Sequence, residues 1–236
     1  MISDQWRFSK EELFDTPSIA DGLSYEQEQM DRTKGCVYLM SVATRLNLSQ
    51  LTIATATTYF HRFYMRQSMK RFHIYDMAAT CLYVATKVEE STRRMKDFIN
   101  VCAQKASKND KVSLEENSKD FIRWKDTMLI NEVVLLEVLC FDLAVEHPQN
   151  YLAKWLPKFN RKVPNSFGRK IWSLLYQCYG SPLCALQSPD SVAAAVILLA
   201  SYLYGEHLPQ YWWDQVDLDG PTVNDLATDL LQYTFS

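Results

Sequence analysis

Few residues of this chain are spaced for chemistry, and one lysine stands out among them. Lys87 closes a nearly all-apolar, Ala-rich run, MAATCLYVATKV (77–88), and is followed by Glu89 and Glu90. A helix that is apolar on all sides lies at the centre of a bundle. A lysine at its end is costly unless something uses it. Enzymatic signatures are missing: there is no Gly-rich phosphate loop and no HExxH motif. Histidines 61, 73, 147 and 207 and the six cysteines lack metal-ligand spacing, so neither a metal nor a cofactor is expected.

The run that carries Lys87 has a second copy, VAAAVILLASYL (192–203). At constant offset Ala78 matches Ala193, Leu82 matches Ile197 and Ala85 matches Ala200, but Lys87 is opposed by Tyr202. Two buried central helices imply two bundles of similar build, the first modified for a task that the second lacks. The 3.6-residue period predicts helices near 25–47, 51–68, 74–88, 92–103 and 121–140 in the first half. Ser49 and Thr92 are read as N-caps, and the polar stretch 104–120 as a surface loop. Ahead of them, Ser9 and Glu12 have the spacing of a capping box for a short helix over 9–14. A new element is expected at His147–Pro148, since proline suits a first helical turn. Helices near 149–157, 165–180, 190–204, 207–216 and 222–233 follow, punctuated by prolines. The expected fold is all-α, with two tandem five-helix bundles: an N-terminal extension (1–23), a first bundle (24–146) and a second (147–236).

Charge narrows the partners. After Lys170 there is no lysine or arginine, while seven acidic residues follow, so the second half cannot offer a basic groove to phosphates. With a net charge of −3, direct nucleic-acid binding is not expected. Positive charge gathers instead at Arg62, Arg66, Lys70, Arg71, Arg93, Arg94 and Lys96, either as a solvated face or as a surface for an acidic or phosphorylated partner. The apolar runs are too short to cross a bilayer. No secretory signal is visible, and the cysteines read as reduced core residues of an intracellular protein.

At this point the residues point to a family. LSQLTIATATTYFHRFYM (48–65), ATKVEES (85–91) and EVLCFDLAVEHP (137–148) resemble a cyclin box. WRFSKEEL (6–13) and WWDQV (212–216) resemble flanking and second-repeat signatures of transcriptional cyclins of the cyclin K and cyclin T type, including their fungal counterparts. The resemblance covers essentially the whole chain in order. It implies a regulatory subunit without catalytic residues of its own. Such a subunit binds a cyclin-dependent kinase and holds its αC helix in the active position. It also implies that the kinase phosphorylates the RNA polymerase II C-terminal domain, promoting transcription elongation, and that the protein is nuclear. Which kinase is bound, whether a third subunit joins, and whether the K or T type applies stay open. Members of this branch often carry long tails beyond the boxes.

Carried over residue by residue, the resemblance assigns the kinase contact to Lys87 and Glu132, the latter counted back from Phe141. Lys87 would serve helix-end carbonyls, and the two residues, on different helices, would grip opposite ends of a partner segment. Val84, Val88, Leu136, Phe141 and Leu143 would pack on the kinase helix, and Glu89 and Glu90 complete the motif. In cell-cycle cyclins a substrate-docking patch occupies the position of Asp31–Gly35, where this chain reads DRTKG; that patch is not expected here. His61 and the Trp212–Trp213 pair are read as structural. The competing reading is a cyclin-fold transcription factor or adaptor that binds nucleic acid or protein without activating a kinase. A nucleic-acid binder should be basic across both repeats. Partner specificity is expected in the long first helix and in the 104–120 loop.

Overall fold

Serine hydroxyls start the long helices. Ser24, Ser49 and Ser118 each accept a hydrogen bond from the backbone N–H three residues on, at 3.2, 3.1 and 3.2 Å, filling one open donor of each first turn. The computed structural model describes residues 6–159, 165–208, 212, 216 and 218–235. After a 3-10 turn at Glu11–Phe14, the order is α1 (Pro17–Ala20), α2 (Tyr25–Arg45), α3 (Gln50–Arg66), α4 (Ile74–Val88), α5 (Met95–Ser107) and α6 (Lys119–Val138). There follow α7 (Pro148–Phe159), α8 (Asn165–Cys178), α9 (Leu183–Leu186), α10 (Pro189–Tyr204) and α11 (Gly220–Phe235). No strand occurs among the described residues. The fold is all-α, as expected.

Contacts divide the chain into two units. In the unit Ser9–Val145, α4 is the central helix and packs on α2, α3 and α6. In the other, α10 packs on α7, α8 and α11, and every residue from Ser191 to Ser201 is buried. The two Ala-rich runs are the two bundle centres, and their small side chains let neighbouring helices approach closely. The N-terminal segment serves both units: the N–H of Phe8 bonds to the carbonyl of Ala185 at 3.1 Å, while α1 packs on α2 and α3. Ser9 and Glu12 form the expected reciprocal box, at 2.6 and 3.3 Å. The helix expected near 207–216 falls mostly outside the described residues. His207 and Leu208 are not helical, while Trp212 and Val216 are helical and buried. Trp213 lies outside the described residues.

One cap differs from expectation. The fifth helix starts at Met95 behind Arg94, and Thr92 does not cap it. The guanidinium of Arg93 is the reason: it donates to the carbonyls of Leu46, Asn47, Ser91 and Thr92 at 2.9–3.2 Å. That clamp keeps the 91–94 segment out of the helix. Another departure concerns the cysteines: four are buried, Cys184 is half-buried, and Cys140 is exposed in the loop after α6.

Gly35 sets how closely α2 and α3 approach. A Cβ there would stand 2.2 Å from Cζ of Phe60. The Phe60 ring cannot swing aside easily, since it sits edge-on to His61 and Tyr64. Gly35→Ala is therefore expected to destabilise the protein by about 1–3 kcal/mol. The urea midpoint checks this, and an unchanged midpoint would show that the helices yield.

Candidate functional site

The KVEE sequence lies where α4 stops, and each of its residues faces a different task. The N–H of Glu90 bonds to the carbonyl of Lys87 at 3.3 Å, and that of Ser91 to Thr86 at 2.8 Å. Glu90 takes the left-handed φ of 50° that this helix closure needs. The carboxylate of Glu89 accepts from the hydroxyl of Thr55 on α3 at 2.6 Å, tying the helix end inward. Glu90 and Val88 face solvent. The Lys87 Nζ lies 2.7 and 2.8 Å from the two carboxylate oxygens of Glu132 on α6, and 4.4 Å from the ring centre of Tyr83.

The carbonyls of Thr86 and Lys87 are thus satisfied within the chain, and the lysine instead holds Glu132. The two residues meet rather than standing apart, because α4 and α6 pack side by side. Their side chains are 41% and 16% exposed, so the pair is half wet and open to a partner.

The other edge of this face is the end of α6. The N–H of Phe141 bonds to the carbonyl of Leu136 and that of Cys140 to Glu137, both at 2.9 Å. Cys140 and Phe141 both have left-handed φ, at 52° and 56°. The chain reverses sharply there, leaving Phe141 68% exposed. The next turn is anchored from below: the Tyr59 hydroxyl donates to the carbonyl of Leu143 at 2.6 Å. Burial raises the pKa of Tyr59, which keeps that hydroxyl protonated as a donor.

Leu136 and Leu143 are half-buried at the edge of this face, whereas Val84 is 2% exposed and belongs to the core beneath it. Sequence reasoning missed Tyr59 as the anchor of the Phe141 loop. The stretch 133–139 is apolar but for Glu137. Only Leu135 and Leu139 of that run are buried, in line with Phe121 and Met128, while Ile130 and Val133 lie exposed beside Glu132 in the sequence. The spacing Phe121, Met128, Leu135 is a seven-residue period, which was the available signal.

The basic residues do not form one face. Arg62 is buried in α3, and Arg93 is spent on carbonyls. Arg71 and Lys70 meet the carboxylate and the carbonyl of Asp21, and the hydrogen bond from Arg71 holds the Asp21 carboxyl below its ordinary pKa. Arg94 pairs with Asp97 at 2.8 Å and Lys96 with Glu116 at 3.3 Å. Among the described residues no group of three His, Cys, Asp or Glu is placed to hold a metal. His61 is buried with Nε2 3.4 Å from Cys36 Sγ, and burial pushes the Cys102 thiol up to about 12. In the stretch Asp31–Gly35, Arg32 is fully buried, and Asp31 pairs with Lys34. No described helix is long and apolar enough to cross a membrane.

Comparisons with known proteins agree with this architecture. Residues 6–144 match the family described as cyclin, N-terminal domain. Cyclin pch1 of Schizosaccharomyces pombe is 43% identical over 198 residues, 84% of this chain and 58% of that protein. Cyclin-K of Homo sapiens is 32% identical over 237 residues, 96% of this chain and 39% of that protein. Cyclin-T1-3 of Oryza sativa is 30% identical over 238 residues, 98% of this chain and 48% of that protein. The chain spans about half the length of the curated relatives it matches. A chain in the crystal structure of the yeast RNA Pol II CTD kinase CTDK-1 complex superposes with a TM-score of 0.78 at 16% identity, covering 97% of this chain and 73% of that one. A chain of the yeast TFIIK (Kin28/Ccl1/Tfb3) complex gives 0.70 at 20% identity, covering 98% and 96%. At these identities the structural likeness is one of fold. The match over residues 6–144, together with two helical units each built on an Ala-rich central helix, shows that the chain belongs to the cyclin family, with relatives of the cyclin K and cyclin T type.

Proposed function

We propose that this protein is the regulatory subunit of a cyclin-dependent kinase acting on the C-terminal domain of RNA polymerase II, and that it works in the nucleus to promote elongation. The observation that carries the proposal is the paired Lys87 and Glu132 on adjoining helices, with exposed Val88 on α4 and exposed Phe141 just after α6. A charged, hydrogen-bonding pair beside exposed apolar side chains suits the side of an amphipathic helix, giving register through the polar contact and affinity through the apolar ones. Relatives named cyclin K and cyclin T, and a fold shared with a chain of a polymerase-tail kinase complex, support the same reading.

The subunit would act indirectly. A kinase needs its β3 lysine and αC glutamate paired. A cyclin that binds the αC-in conformation better than the αC-out one shifts the kinase to the active population, and binding both equally would do nothing. In this proposal Leu136, Leu143 and Val88 would flank Phe141 against the kinase helix, with Val84 supporting them from the core. Glu89 and Glu90 would shape the end of α4. A third subunit is compatible with the exposed apolar residues of α6.

The test is co-purification with candidate polymerase-tail kinases, scoring both binding and phosphorylation of a tail-repeat peptide. The protein should bind one kinase and raise its activity. Phe141→Ala should weaken binding by about 2 kcal/mol, the loss typical of a central aromatic anchor, without lowering the thermal midpoint, because the ring is exposed. Binding to no kinase would overturn the proposal.

A further inference from the structure

A charged cavity lies near the start of α6, about 20 Å along the helix from its C-terminal end. A cavity of about 310 Å³ opens there between the first turns of α5 and α6 and the loop that joins them. Arg94, whose Nε is held by Asp97, joins Lys96 and Lys125 in it, Phe121 and Met95 give it apolar walls, and Glu116 is the carboxylate that lines it. Glu116 comes from the polar loop and meets Lys96 at 3.3 Å, with the two side chains 61% and 49% exposed. Lys125 has no ion-pair partner among the described residues. The α5 helix also begins at this cavity without a side-chain cap, its first N–H groups adding positive field that Asp97 in the first turn partly offsets.

The residue already in the cavity indicates what it takes. Glu116 offers one negative charge through an exposed contact that contributes at most about 1 kcal/mol, so it is readily displaced. A phosphoserine or phosphothreonine carries nearly two charges and three acceptor oxygens. Unlike a single carboxylate, it could engage Lys96 and Lys125 together with the Nη donors of Arg94, whose Nε stays with Asp97. The apolar walls formed by Phe121 and Met95 suit a hydrophobic residue next to the phosphate. We propose that this cavity docks a phosphorylated serine or threonine of a partner peptide, with Glu116 occupying the site until the phosphate arrives. The proposal is independent of the kinase reading, because none of these residues belongs to the α4–α6 face.

Fluorescence anisotropy tests it with a labelled ten-residue peptide carrying one phosphoserine followed by leucine, alongside its unphosphorylated twin. The phosphopeptide should bind and the twin should not. Lys125→Glu and Lys96→Glu should each weaken binding by roughly tenfold or more, the scale of one charge-assisted contact. Glu116→Gln should tighten it by about two- to fivefold as the competing surface ion pair is lost. All three variants should keep the wild-type thermal midpoint and co-purify with the kinase as before. Opposite signs at Lys125 and Glu116 are expected of any anion site, so the unphosphorylated twin and an RNA control separate a phosphopeptide site from a general basic surface. Equal binding of the unphosphorylated twin, no binding of the phosphopeptide, or indifference to both Lys125→Glu and Glu116→Gln would each overturn the proposal. So would equally tight binding of a ten-nucleotide RNA, which would mark a general polyanion surface.

Discussion

Alanine at Lys87 or Glu132 is expected to weaken kinase binding by about 2–5 kcal/mol, roughly thirtyfold to several thousandfold. The same changes should hardly alter the stability of the free protein. The reason is a change of surroundings. In the free chain the pair is partly wet, and such an exposed pair contributes at most about 1 kcal/mol. Under a bound helix the water leaves, and removing one member strands the other charge in a low dielectric.

The two changes should not be equal. Without Glu132, Lys87 keeps the Tyr83 ring at 4.4 Å. Without Lys87, the carboxylate of Glu132, only 16% exposed, loses its cation, so Lys87→Ala should cost more. The double variant should lose less than the sum of the singles, as contacting residues do in a double-mutant cycle. Isothermal titration against the kinase, with urea melts of the free protein, checks all of this. A stability loss as large as the affinity loss would show that the pair is structural and would sink the contact assignment.

The largest expected effect on folding belongs to Arg32. Its guanidinium is fully buried and donates to Glu28 Oε1 from Nε at 2.9 Å and from Nη2 at 2.6 Å. It also donates to the carbonyls of His61 and Tyr64, at 3.2 and 3.0 Å. The second of these is among the last four carbonyls of α3, which have no partner within their own helix. The remaining oxygen of Glu28 takes a short hydrogen bond from the hydroxyl of Thr16, the residue that caps α1. One arginine therefore closes the end of α3 and, through Glu28, fastens α1 to α2.

Arg32→Met keeps most of the volume but leaves the buried Glu28 carboxylate without its cation and the Tyr64 carbonyl without its donor. A loss of about 3–5 kcal/mol is expected, the scale for breaking a buried pair from one side. Glu28→Gln combined with Arg32→Met should recover part of it, because the stranded charge is then gone. Urea unfolding of the two variants measures both effects. A loss below about 1 kcal/mol for Arg32→Met would mean that water replaces the guanidinium, and that the buried network is not a main support of the fold.

What the sequence by itself determined is what local chemistry can encode. Ser49 as a cap, Ile74–Val88 as a helix, Pro148 as the start of α7 and the Ser9–Glu12 box are decided within about four residues, the reach of a helical hydrogen bond. The tandem build was legible because the two Ala-rich, nearly all-apolar runs align at constant offset, as the central helices of two similar bundles would. The KVEE and FDL motifs marked where the candidate site lies.

The working arrangement of that site was not legible. Lys87 and Glu132 are 45 positions apart, and only the packing of α4 on α6 brings them to 2.7 Å. The basic residues that gather in the sequence are dispersed in the fold: Arg62 is buried, while Lys70, Arg71, Arg93, Arg94 and Lys96 each meet a carbonyl or carboxylate that the fold places beside them. Arg93 shows the limit most plainly: its carbonyl partners at Leu46 and Asn47 come from the end of another helix, and they override the local claim of Thr92 as a cap. Propensity and periodicity act along the chain, whereas burial, pairing and exposure depend on which surfaces meet.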